Sequence, residues 1–254
     1  MKYDLQKASL LKRASAWILD MILLLILVTG CATVMSSLLH FDSYTEAVEH
    51  YQKKYETQYG VKFEVTQAEY DALTPEQKEV LEAAYQAFSQ DKDAIYNYNM
   101  IVNLSMVILS VSVLLGFLGL EFAVPMLFGN GQTLGKKIFG IAVIKQNGVQ
   151  VNTVTMFVRT VLGKFTFEAM LPLLIGLMMI LGLIGIVGPA VILALLVVEL
   201  VLMITSRTNA TIHDKLAQTV AVDMHSQLIF ASEEELMAYK KRCHEEMVKN
   251  QPYF

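Results

Sequence analysis

Long apolar runs alternate with polar blocks along this chain, and the alternation predicts its elements. The first run, residues 17–39, holds a single charge, Asp20. A helix rises about 1.5 Å per residue and a bilayer's hydrocarbon core is about 30 Å thick, so this run is long enough to cross. Residues 40–98 are polar, with periodic apolar and tyrosine positions that read as helices. One covers residues 43–59 and stops at Gly60; another continues over 76–90, with Thr66 or Thr74 as a cap and Pro75 in a first turn. Residues 61–65 read as a short extended link. The second run, 99–128, contains Glu121 and Pro125.

Residues 129–164 are polar but interleaved with Val and Ile. Asn147-Gly148 between two β-branched stretches predicts a hairpin, and 153–164 an amphipathic helix. Residues 165–205 are apolar apart from Glu168, Pro172, Glu199 and a glycine-rich turn over 182–189. That length suits two short spans; a re-entrant pair is the alternative. Residues 206–254 turn polar again. Within them 219–222 predict a strand joining the hairpin, and Ser232 followed by three glutamates caps a solvated helix to about residue 250. The expected fold is an all-α membrane protein. It has about four transmembrane helices, a small cytoplasmic β-hairpin or sheet and a helical extracytoplasmic insertion. The units are 1–39, 40–98, 99–128, 129–164, 165–205 and 206–254.

Composition strengthens this picture. The chain is 54% hydrophobic and 17% charged, against roughly 25% charged in a soluble domain. Mean hydropathy is +0.45. No basic cluster argues for nucleic acid. The first run is too long for a secretory h-region, so it is expected to stay as a span. Of the twenty Lys and Arg, five lie within 40–98, and the short flanks of the runs carry theirs on one side, which predicts cytoplasmic termini. Cys31 and Cys243 fall at different depths, so no disulfide between them is expected.

The candidate chemistry lies in charges at membrane depth. Arg13, Trp17 and Asp20 share one helical stripe by spacing. A carboxylate in lipid costs up to about 3 kcal/mol at the centre of a span, so Asp20 should face a partner or a wet cavity. Glu121 and Glu199 fall near the same depth, and the three acids could converge on one cluster; separate pairing with Lys or Arg is the plainer alternative. Glu168 could pair with Lys164, four residues before it. The stretch Gly131-Gln132-Thr133-Leu134-Gly135-Lys136-Lys137 lacks Walker spacing and reads as a turn into a short interfacial helix. His213-Asp214 reads as structural. No nucleophile set, metal-ligand set or cofactor motif is expected.

Three motifs in order resemble the RDD family of bacterial membrane proteins. They are Arg13 with Asp20, then Gly131 to Lys136 before Gly140-Ile141-Ala142-Val143, then Arg159 followed by the stretch 212–220 around His213-Asp214. The resemblance implies that the family's Arg and two Asp fall at Arg13, Asp20 and Asp214, in a bacterial cell membrane protein associated with transport. It explains neither the 43–93 block nor the C-terminal helix. Two functions follow as expectations. One is a homo-oligomeric carrier moving protons, cations or a small ligand through Arg13, Asp20, Glu121, Glu199 and Asp214. The other is a membrane scaffold binding protein partners through the insertion and the tail. An enzyme is not expected.

Overall fold

The computed structural model describes residues 5–180 and 184–249. The basic Lys2, the start of the glycine-rich turn and the end of the tail helix lie outside them. Among the described residues, four helices are long and apolar enough to cross a membrane: α1 (Leu10–Leu38), α5 (Lys92–Phe128), α7 (Thr153–Met179) and α8 (Val187–Thr205). Between α1 and α5 come α2 (Phe41–Tyr59), α3 (Gln67–Ala72) and α4 (Pro75–Gln90). The rest is α6 (Leu134–Ile138), β1 (Ile141–Lys145), α9 (Ile212–Leu216), β2 (Thr219–Asp223) and α10 (Glu233–Lys249). The chain is an all-α membrane protein with one small antiparallel sheet.

Two compact units divide it: residues 1–28 with 114–254, and residues 29–113. In the first, β1 and β2 pair from Ile141↔Asp223 to Lys145↔Thr219. Four consecutive residues of each strand are buried, because side chains cover both faces. The chain before α1 lies along β2, with Ala8 N donating to Ala221 O and Asp223 N to Gln6 O. The Asn147-Gly148 turn returns the chain to an Ile144↔Gln150 bridge. The tail helix is not wholly solvated: Leu236 is buried against Val149 and Phe230.

In α1 only Ala16, Asp20 and Leu24 are buried, a four-residue spacing that makes one narrow stripe. Trp17 is 59% exposed, so it does not share Asp20's face as the spacing predicted. It points outward, where an interfacial ring belongs. The amphipathic helix and third span, expected as separate pieces, form the single helix α7. Two helices widen to i→i+5 turns: α5 over Phe117–Ala123 and α7 over Val158–Met170. In α5, Pro125 has no N–H for the carbonyl of Glu121, four residues back. Thr160 Oγ1 donates to that carbonyl at 2.9 Å instead. A neighbouring hydroxyl is the usual remedy for a proline within a span.

In the second unit, Thr66 and Thr74 each cap a helix of their own. Tyr55, Phe63, Leu81 and Ala84 are buried there, with Phe63 stacked on Tyr85 at 4.5 Å. Asp91 opens α5, accepting from Ala94 N at 3.2 Å and from Tyr55 Oη at 2.8 Å.

Candidate functional site: a layer of charges beside the sheet

Asp20 lies 8% exposed. It turns toward α6, where Thr133 Oγ1 donates to Oδ2 at 2.5 Å and Gly135 N donates to Oδ1 at 2.8 Å. Lys136 Nζ completes the set at 3.5 Å. The glycine-rich stretch therefore cradles an anion, but the anion is the protein's own carboxylate. Gly135 is required by this approach: a Cβ there would lie 2.3 Å from Ala16 O and 2.9 Å from the Asp20 carboxyl. Burial, with Lys164 and Arg159 nearby, pushes Lys136 down to about 8, against the pull of Glu121 and Asp20.

Asp214 is fully buried and holds the densest knot. Arg159 Nη1 donates to its Oδ1 and also to Thr219 Oγ1. Arg13 reaches Oδ2 at 3.3 Å while a second donor of the same guanidinium meets Asn209 O. Thr211 and Thr219 hydroxyls donate at 2.9 and 3.1 Å. Burial alone would raise this carboxyl's pKa. Arg159, His213 and Arg13 outweigh it and hold the group well below the ordinary carboxylate range.

Glu121 accepts from Lys164 Nζ at 2.6 Å. Lys164 is thus not the partner of Glu168, whose Oε1 lies 2.6 Å from His213 Nδ1. Glu199 accepts from Ile212 N at 3.2 Å and has no Lys or Arg within ion-pair distance among the described residues, the Arg13 charge acting on it from further off. His213 is buried against α7, where Gly163 admits it: a Cβ on Gly163 would lie 2.5 Å from His213 Cβ. Burial and Arg159 push its imidazole's pKa down.

The structure therefore brings Arg13 together with Asp214 but gives Asp20, Glu121 and Glu199 separate donors. Sequence reasoning left out Thr133, Lys136 and Arg159 as partners and gave Lys164 to Glu168 instead of Glu121. The cue for Thr133 was its place as cap of α6, two residues before a glycine.

Multiple apolar helices around a buried charge layer define a multi-pass membrane protein. The RDD family model matches residues 7–218, and the chain belongs to the RDD family. No curated protein and no solved structure matches it significantly.

Proposed function

We propose that the protein is a carrier of protons or cations, not an enzyme, and works as a homo-oligomer in a bacterial cell membrane with both termini cytoplasmic. The observation that supports it is Glu199. It sits on a membrane helix with a single backbone N–H as its partner and Glu168 close by. An acid at that depth with no Lys or Arg in direct contact, Arg13 acting on it only from further off, is a functional position by default. Asp20, Glu121 and Asp214, by contrast, have the fixed donors of packing residues. The carrying acids on this reading are Glu199 and Glu168, and Arg13, Asp20, Glu121 and Asp214 hold the frame around them. Four spans are few for a closed pathway, which favours a dimer.

The test is ion flux in proteoliposomes bearing an internal pH dye. An imposed cation gradient should move protons in the native protein, and Glu199→Gln should abolish this without altering assembly. Equal flux in both proteins would refute the reading. A scaffold role is the second reading, supported by the insertion's own aromatic core. It predicts that removing 41–91 abolishes activity in cells while Glu199→Gln has no effect.

A further inference from the structure

We infer that Glu168, Glu199 and His213 form a binding site for a first-row divalent cation, of the class of Mn2+, Co2+ and Zn2+. One donor atom from each lies within 4.8 Å of the other two. The residues come from α7, α8 and α9, so the tertiary fold alone assembles them. An imidazole with two carboxylates is a donor set these ions take, whereas Mg2+ and Ca2+ favour oxygen throughout. Zinc–ligand bonds of about 2.0–2.2 Å in a tetrahedral site set donor atoms roughly 3.3–3.6 Å apart, so the Glu168–His213 contact must open and the wider spacing close by about an ångström to seat the ion.

Charge and hydrogen bonding point the same way, independently of spacing. Lys136 faces Asp20, Lys164 faces Glu121, and both arginines face Asp214. That leaves two glutamates beside one imidazole, with Arg13 and Lys164 acting on them only from beyond ion-pair distance. Thr211 Oγ1 lies 3.0 Å from His213 Nε2 and 3.2 Å from Nδ1, and it donates to Asp214 Oδ2. A hydroxyl that has given its proton to Asp214 can accept from either ring nitrogen. Nδ1 sits 2.6 Å from Glu168 Oε1, which also takes the His213 backbone N–H at 3.3 Å. A ring proton satisfies Glu168 alone, while a divalent ion in its place also draws in Glu199. Ligating histidines commonly hand their second ring N–H to such an outer partner.

The inference rests on the carrier reading's assignment of Glu199 as an unbalanced charge, but it is tested by binding. Metal-stripped full-length protein in nanodiscs is titrated with Co2+, whose visible absorption reports ligation. One saturable equivalent per chain is expected, displaced by Zn2+ and not by millimolar Mg2+. Glu199→Gln and His213→Gln should each weaken it by at least about tenfold. Lys12→Ala, at the exposed Asp223 pair, should leave it unchanged. If His213→Gln does not fold, Glu199→Gln decides, because that side chain has one backbone N–H to lose. Absence of a saturable band, or a band unmoved by Glu199→Gln, overturns the inference. Co2+ binding without flux keeps the site and removes the carrier. Flux in a protein that binds no Co2+ keeps the carrier, with a proton as its cargo, and removes the metal site.

Discussion

Asp214 and Glu199 are both acids at α9, and they live under opposite conditions. Asp214 has two guanidinium groups and two hydroxyls; Glu199 has one backbone N–H. Asp214 is fully buried and Glu199 half-buried. A buried carboxylate survives by collecting donors, and once collected they fix it in place. A carboxylate left short of donors is free to change partners. The difference separates charge that builds the frame from charge that can do work.

The hardest test of that contrast removes the charge with most partners. Asp214→Asn leaves the buried Arg159 without a counter-ion and takes from the half-buried Arg13 its carboxylate partner, and breaking one side of a buried pair costs about 3–5 kcal/mol. A large drop in unfolding temperature in detergent, with loss of monodisperse protein, is expected. A variant that melts like the native protein would mean the knot is not structural. Next is Gly135→Ala. The new methyl overlaps a backbone oxygen of α1, which has no rotamer to escape into. Overpacking of this kind costs about 1–3 kcal/mol. Gly60→Ala is strained too, but by its left-handed backbone rather than by neighbours, since no atom lies within 4 Å of its Cβ position.

A third test uses pH. Lys136, pushed down to about 8 from 10.5, binds its proton less readily when folded than when unfolded. Between those values the unfolded chain holds more protons, so stability should rise with pH, by at most about 1.4 kcal/mol per unit. Below 8 the group contributes no slope. The difference in melting temperature between native protein and Lys136→Met should therefore grow in the native protein's favour from pH 8 to 10. A flat difference would place Lys136 in a wetter setting than its burial beside Asp20 implies.

How far the sequence foretold all this differs between fold and site. Apolar runs gave the four membrane helices, Asn147-Gly148 the turn, and Gly60 the stop of α2, because each is written locally. The union of the amphipathic segment with the third span was not legible. Arg159 and Lys164 read as charges on an amphipathic helix, with Lys164 set against Glu168, whereas they point into the protein to meet Asp214 and Glu121. The partner of Glu168 was misjudged for a related reason. The i,i+4 rule assumes a regular helix, and α7 widens across both Lys164 and Glu168, which moves the two out of line. Pairings such as Asp20 with Thr133 span more than a hundred residues, and nothing local encodes them.

The smallest stability effect is the most informative. Glu199→Gln keeps the shape of the side chain and an oxygen to accept from Ile212 N, and it removes a charge that no described Lys or Arg meets directly, Arg13 acting on it only from further off. Its unfolding should shift by under about 0.5 kcal/mol, the range of substitutions that break no cap, core contact or ion pair. Gradient-driven flux should nonetheless vanish. Dissociation of stability from activity is what the contrast with Asp214 requires, since framework charge loses both together. If Glu199→Gln instead lowered the melting temperature as far as Asp214→Asn, Glu199 would be one more strut of the frame, and the case for a working acid at this depth would be gone.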